Sequence, residues 1–432
     1  MKKILYILLT LILAAVMALC LIACGGEETP EAQGPKEDVS VYHSGDGYET
    51  VNDLITWDKI NAFPVAHDGM TVEEGRKLVV DFFRYCKTSV WIPSDNYTYI
   101  IESSGNEAEV PGFEKYGGLP YITNGTGSVY RLMDYMDPET GVVDIELAGA
   151  KPTHLGNQCS YGSYVGVCRV INSCAYGLTK YMTPMNGFIP LGDYQIREGL
   201  ENFVADGYNT PRVIQENGLD VMYESYALLK KGDIIMYYTT AGHVVVIAED
   251  AHVVRDENGK VDPTQSYVQV LDQTASLTKM QNEAGDNFNV EKNVDAKWTF
   301  QKLGLSYIPY TFKEWTGEDP IESSKTEYTH SGDTITLSEL YSSKVTSNYA
   351  VMDLYASVYH SNGKEVYKVA VRSTKTSIKE LAFRRPNPGT YDIDLWGSEE
   401  NLDPSQEYTV KVYAQLTTGE RPVVWEGKLV HE

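Results

Sequence analysis

The sequence predicts an α+β domain followed by an all-β domain. Apolar residues at helical spacing, after a Thr-x-x-Glu capping pattern, predict an amphipathic helix at Thr71–Lys87. The almost continuous apolar segment His243–Ala248 predicts a strand at the centre of a buried sheet. After about Pro320, short alternating segments separated by turn residues predict a β-sandwich of roughly 110 residues.

Shorter signals place two more strands beside the central one. The turn Lys231-Gly232-Asp233 precedes an apolar strand at Ile234–Tyr238, and another strand is predicted at Tyr267–Leu271. Between them, Asn258-Gly259 is a typical hairpin signal within a polar segment. These elements predict a sheet whose strand ends carry polar side chains.

Composition narrows the classes of function. The chain has 432 residues, with 60 Asp and Glu against 36 Lys and Arg, for a formal net charge of −24. Its 42% of hydrophobic residues are enough to form a core and exclude disorder over most of the length. Because nucleic-acid binding needs a basic face, the acidity argues against a nucleic-acid partner.

The N-terminus has the pattern of an export signal. Lys2 and Lys3 precede an uncharged apolar run that ends in Leu21-Ile22-Ala23-Cys24. This resembles the signal of bacterial lipoproteins, which implies cleavage after residue 23 and lipidation of Cys24. An uncleaved transmembrane anchor is the alternative. We expect a signal at 1–23, a flexible tether at 24–40, and the rest of the chain outside the cytoplasm.

The remaining cysteines point to a thiol rather than a zinc site. No Cys-x-x-Cys spacing occurs in the sequence, and no metal-binding motif or cofactor is predicted. Cys86, Cys168 and Cys174 are interpreted as buried free thiols because apolar residues surround them. Cys159 follows Gly156-Asn157-Gln158 at a predicted helix start, where unpaired N–H groups and the helix dipole favour a thiolate.

A thiolate nucleophile needs a proton acceptor, which is usually histidine. Only His243 opens a buried strand directly after a loop of small residues. The next predicted strand ends in Asp272-Gln273, where a carboxylate or amide would orient the imidazole. Cys159, His243 and Asp272 are therefore the candidate catalytic residues, and the alternative is an ordinary polar sheet edge.

The order of these segments resembles the NlpC-type cell-wall cysteine peptidases, which are related to the CHAP amidases. The resemblance spans about residues 70–310 and depends on Gly-Leu-Pro-Tyr at 118–121, Cys159 at a helix start, and the Gly-Asp and Gly-His-Val segments near 232 and 242. It implies a papain-like core, a Cys-bearing helix packed on an antiparallel sheet, at 41–318. An immunoglobulin-like sandwich would follow at 319–432.

The resemblance also implies roles for individual residues. Cys159 would be the nucleophile, His243 the general base and Asp272 the orienting residue. The Tyr121 hydroxyl would assist the oxyanion, and Gln158 and Gln273 would lie beside it as oxyanion or substrate-binding groups.

The implied function is cleavage of an amide bond in peptidoglycan stem peptides through a thioester acyl-enzyme, at a membrane reached through lipidated Cys24. Two alternatives remain open. One is a catalytically inactive surface lipoprotein that binds a wall component or a protein partner, and the other is a general protein-cleaving peptidase. The oligomeric state stays open.

Overall fold

A computed structural model describes residues 40–41, 54–101, 106–118, 128–145, 166–172, 188–197, 207–239, 242–273, 277–281, 285, 287–291, 294–373, 378–386 and 393–431. The chain divides into residues 1–38 and 39–432, and all of the described residues belong to the second unit. The predicted signal and most of the predicted tether lie outside the described residues. The predicted boundary near residue 318 stays a prediction.

The helices in the described part of the chain are short apart from one. The longest begins at Val72, where Thr71 and Glu74 form a capping box, and buries Leu78, Val79 and Phe83 on one face. In chain order the helices are α1 (Trp57–Ala62), α2 (Val72–Thr88), α3 (Val129–Met133), α4 (Thr210–Asn217), α5 (Leu219–Tyr226), α6 (Phe300–Leu303), α7 (Lys313–Thr316) and α8 (Leu337–Leu340), with a 3₁₀ turn at Glu399–Asn401.

Strands dominate the secondary structure, at 36% of the chain against 22% helix. The first strands are β1 (Ser40–Val41), β2 (Val90–Pro93), β3 (Tyr97–Ile101), β4 (Asn106–Val110), β5 (Tyr116–Gly117), β6 (Val142–Val143), β7 (Phe188–Pro190), β8 (Ile234–Tyr238), β9 (Gly242–His252), β10 (Tyr267–Leu271), β11 (Leu277–Gln281), β12 (Asn287–Glu291), β13 (Val294–Thr299) and β14 (Tyr307–Phe312). The later strands are β15 (Thr326–Tyr328), β16 (Thr334–Ile335), β17 (Lys344–Ser347), β18 (Val351–His360), β19 (Glu365–Arg372), β20 (Glu380–Ala382), β21 (Ile393–Trp396), β22 (Tyr408–Leu416) and β23 (Val423–Leu429).

The strands form three six-stranded sheets, one three-stranded sheet and the separate hairpin β3–β4. Within residues 39–432, the four larger sheets have a propeller-like arrangement. The sheet that carries the predicted site has the order β13-β10-β9-β8-β14-β7, and every neighbouring pair in it is antiparallel. Its centre, β9, is buried from Val244 to Ala248.

The predicted fold class is wrong. The chain is mostly β with a propeller-like arrangement of sheets, not a papain-like α+β core, so the resemblance to the NlpC-type peptidases fails. The resemblance depended on one helix and three strands in a given order, and an order of that kind is compatible with more than one fold. Between residues 90 and 143, the described residues form strands β2–β6 and helix α3.

The C-terminal immunoglobulin-like sandwich is also wrong. The predicted strands exist, but they form the six-stranded sheet β16-β23-β22-β18-β19-β21 and the three-stranded sheet β15-β17-β20. Leu337–Leu340, whose first residue was predicted to end a strand, is a helix whose start is capped by Thr336. Alternating polarity identifies strands, but it does not identify their partners.

A buried ion cluster joins helix α3 to this C-terminal sheet. Arg131 Nη2 lies 2.6 Å from Asp353 Oδ1, and Arg372 Nη1 lies 3.0 Å from Asp353 Oδ2. Arg372 also contacts Asp134 at 2.8 Å and Asp394 at 2.9 Å. All five side chains are nearly inaccessible to solvent, so opposite charges are paired inside the protein.

No helix in the described part of the chain is both long enough and apolar enough to cross a membrane.

Candidate functional site

The candidate site lies where strands β9 and β10 meet at one edge of their sheet. His243 is the second residue of β9, and Asp272 comes directly after the last residue of β10. Because these neighbours are antiparallel, with Leu271 opposite Val246, the start of one strand and the end of the other share an edge. The local apolar pattern therefore brings two polar residues together that are 29 positions apart.

The His243 imidazole and the Asp272 carboxylate are in direct contact. The distance from His243 Nε2 to Asp272 Oδ1 is 2.7 Å. The His243 side chain is 18% exposed and that of Asp272 only 2%. A buried acceptor behind a partly exposed ring holds the proton on Nε2 and directs Nδ1 away from the carboxylate, as a general base requires.

The charges around Asp272 favour its ionised form. Burial raises the pKa of this carboxyl, but the charge and hydrogen bond of His243, together with Lys87 and Lys302, outweigh burial and hold the pKa below its usual value. The carboxylate therefore stays negative at neutral pH. It is able to stabilise an imidazolium that forms during proton transfer.

Aromatic rings and a cation lie around the imidazole. The His243 and Tyr307 ring centroids are 6.4 Å apart, and Tyr237 and Trp298 lie 5.9 Å and 5.5 Å from Tyr307. Lys302 Nζ lies 3.6 Å from the centroid of the Trp298 ring. Tyr237 and Tyr307 reach this edge because they pair across β8 and β14. These rings lower the local dielectric constant and limit the space on one side of His243.

The other predicted site residues divide into two groups. Cys159, Gln158, Tyr121 and Cys24 lie outside the described residues, so their predicted roles stay predictions. Gln273 is described, and its side chain is buried rather than exposed at the sheet edge. The structure therefore brings His243 and Asp272 together and buries Gln273, the next residue in the chain.

The cysteines depart from expectation in one respect. Cys86 is a buried free thiol on α2, as predicted, and burial raises its pKa to about 12. Cys168, which the sequence interpretation treated as a free thiol, is disulfide-bonded. Its bonding partner lies outside the described residues. The apolar run around Cys168 correctly indicated burial, but burial does not distinguish a thiol from half of a disulfide.

Sequence reasoning missed Lys87. This residue lies in the last turn of α2, is 1% exposed, and donates a hydrogen bond from Nζ to the main-chain oxygen of Asp272. Lysine is rarely buried, and its neighbours on the helix gave no sign of a partner 185 positions away. A basic residue at a helix C-terminus is common enough that the pattern carried no signal.

Comparison of the sequence with protein-family models and with curated proteins gives no match. Within the described ranges, no group of three or more His, Cys, Asp or Glu side chains is placed to hold a metal ion.

Proposed function

We propose that the protein is an extracytoplasmic cysteine hydrolase that cleaves an amide bond, with Cys159 as nucleophile and the His243–Asp272 pair as its general base. The observation that carries the proposal is the 2.7 Å contact between a partly exposed imidazole and a buried carboxylate at a sheet edge. Solvated histidines rarely have a buried ionised partner of this kind.

The proton transfers follow from the orientation of the ring. Nδ1 takes the Cys159 thiol proton as sulfur attacks the carbonyl carbon, and the imidazolium then gives that proton to the departing amine. The product is a thioester. Water, deprotonated by the same nitrogen, attacks the thioester and releases the acid and the thiol. Asp272 stays ionised and stabilises the imidazolium in both steps.

The proposed location and substrate depend on the N-terminus. The export pattern before Cys24 supports a lipid-anchored protein outside the cytoplasm, and the Cys168 disulfide is typical of an oxidising compartment. A bacterial enzyme anchored on the outer face of the cell membrane would encounter peptidoglycan first. We therefore propose the stem peptides of peptidoglycan as the first substrate class, and this choice depends only on the proposed location.

One observation favours a second candidate, a non-enzymatic lipoprotein that binds a wall component or protein. With Cys20 inside the signal and Cys24 proposed for lipidation, the partner of Cys168 is either Cys159 or Cys174. A bridge to Cys159 would consume the proposed nucleophile. A bridge to Cys174 would leave it free.

The first experiment incubates purified full-length protein with peptidoglycan and identifies released muropeptides by mass spectrometry. We expect new fragments that disappear with Cys159→Ala and fall about 10²–10⁴-fold with His243→Ala, the range usual for loss of a general base. His252→Ala is the matched control, because this exposed histidine lies at the far end of the same strand. Activity that survives Cys159→Ala would refute the proposal.

A second experiment maps the disulfide by alkylation and peptide mass spectrometry without reduction. The hydrolase proposal expects a bridge between Cys168 and Cys174 and a carbamidomethylated Cys159. A bridge between Cys168 and Cys159, with no muropeptide release, would establish the binding protein instead.

A further inference from the structure

Lys87 is a buried lysine beside the proposed catalytic pair that the mechanism does not use. It lies in the last turn of helix α2, and its Nζ donates to the main-chain oxygen of Asp272, the residue whose carboxylate contacts His243. One hydrogen bond thus separates this lysine from the catalytic pair.

The main chain around Lys87 is held in place on both sides. Ser89 Oγ donates to Tyr85 O at 2.7 Å, and Gly118 N donates to Ser89 O at 2.9 Å. Gly118 has a φ of +93°, and a Cβ there would lie 2.6 Å from Lys87 O, so only glycine fits against this helix end. The base of the lysine side chain is therefore fixed relative to the sheet edge.

The surroundings of Lys87 make its burial costly. Burial lowers its pKa to about 7, and the charges of Asp272 and Cys86 only partly offset this. An apolar side chain of the same length would avoid this penalty and usually packs at least as well. An apolar residue at this position would lack the hydrogen-bond donor to Asp272 O.

We propose, building on the proposed hydrolase, that Lys87 is a positioning residue: its hydrogen bond to the Asp272 main chain holds the carboxylate against His243 Nε2. The groups that face this arrangement are Cys86 on α2, His243 on β9 and Lys302 on α6, beside Asp272 itself. The Lys87 side chain is enclosed, so we propose that it acts on His243 through Asp272 and not by direct contact with a substrate.

The test compares two lysine variants by NMR titration of the His243 ring in the full-length protein. Lys302→Met and Lys87→Gln each remove a positive charge and should raise the titration midpoint of His243. Lys87→Met removes the same charge as Lys87→Gln and also the N–H donor, so the loosened carboxylate should leave its His243 midpoint about one pH unit below that of Lys87→Gln.

Hydrolysis and stability add two independent readouts. A shift of one pH unit corresponds to about a tenfold change in equilibrium, so we expect Lys87→Met to lower kcat about tenfold with KM unchanged. Its resistance to urea should equal or exceed that of the wild type. A His243 midpoint in Lys87→Met that equals or exceeds that of Lys87→Gln would overturn the inference, and so would a clear loss of resistance to urea in Lys87→Met.

Failure of this inference is distinguishable from failure of the hydrolase proposal. The NMR readout needs no turnover, so a lower His243 midpoint in Lys87→Met than in Lys87→Gln supports positioning of Asp272 even if Cys159→Ala has no effect on peptidoglycan. Conversely, active enzyme with equal midpoints in Lys87→Met and Lys87→Gln keeps the hydrolase and rejects the role of Lys87. Should Lys87→Met fail to fold, Lys87→Leu, which also lacks the donor, replaces it in the comparison with Lys87→Gln.

Discussion

Two groups of buried charges differ in how completely they are enclosed. Around Arg131, Asp353 and Arg372, two guanidinium groups share one carboxylate, and none of these three side chains is more than 1% exposed. At the sheet edge, Asp272 is enclosed to the same degree, but its partner His243 is open to solvent on one side. We call the cluster around Arg131 the closed group, because all three of these side chains are buried. We call the His243–Asp272 pair the open group, because His243 is partly exposed.

The difference separates structural charge from reactive charge. Guanidinium groups keep their charge at any physiological pH, so the Arg131 cluster has a single protonation state and serves packing and orientation. An imidazole changes charge near neutral pH and is able to pass a proton to whatever lies beyond its exposed side. Burial alone therefore does not indicate function, and the exposed titratable member does.

The largest effect on stability should come from removing a charge from the closed group. Asp353→Asn removes the carboxylate that both arginines share, and breaking this buried ion pairing costs about 3–5 kcal/mol in free energy of unfolding. Chemical denaturation measures this cost. As a control, Glu380→Gln breaks the exposed ion pair with Lys344 and should change stability little. Similar losses in both variants would contradict the distinction.

A smaller and pH-dependent effect is expected at the open group. The pKa of Asp272 lies below its ordinary value in the folded protein, so its stabilising contribution is present above the unfolded pKa and is lost as pH falls through the folded pKa. Asp272→Asn should therefore cost about 1–3 kcal/mol at pH 7, from the lost hydrogen-bond partner, and less near pH 3.

The control for this pH dependence is Asp233, a second buried carboxylate. Burial raises its pKa despite Arg76, which lies 2.9 Å away. The pH dependence of its contribution to stability therefore has the opposite sign: the wild type gains stability relative to Asp233→Asn as pH falls. Urea denaturation at both pH values measures the two slopes, and equal slopes would show that the two carboxylates are not distinguished by their neighbours.

The smallest effect should come from an exposed hydrogen bond that belongs to neither group. Asn209 caps helix α4, and its side chain accepts a hydrogen bond from Arg212 N at 2.9 Å. Asn209→Ala should cost about 1 kcal/mol, and Asn209→Ser should restore most of it. Thermal unfolding measures both. A loss of stability in Asn209→Ala as large as that in Asp353→Asn would contradict the proposed order of effects.

Local patterns predicted individual elements well. The helix predicted at Thr71–Lys87 is Val72–Thr88, and the strands predicted at Ile234–Tyr238 and Tyr267–Leu271 have those bounds. Asn258-Gly259 lies between the bridged residues Arg255 and Val261, as a hairpin turn should. Capping residues, apolar periodicity and turn dipeptides act over a few positions, so they are visible in sequence.

Long-range pairing was not predictable in the same way. Strand β5 lies beside β12, about 170 positions later, and β16 lies parallel to β23, with no local signal for either pairing. The partners of Arg131 are more than 200 positions away, and charged residues are expected at the surface. His243 and Asp272 were predicted to meet only because they flank adjacent strands of one sheet.

The span of the Arg131 cluster has a kinetic consequence. Its members lie between residues 131 and 394, so the cluster closes only after most of the chain has been synthesised. Contacts of such high sequence separation slow folding, since a long loop must be ordered before any of them forms. Until strands β18, β19 and β21 emerge, Arg131 has no counter-ion from them, and helix α3 cannot be buried at low cost. We therefore expect the packing of helix α3 against the C-terminal sheet to be a late step in folding.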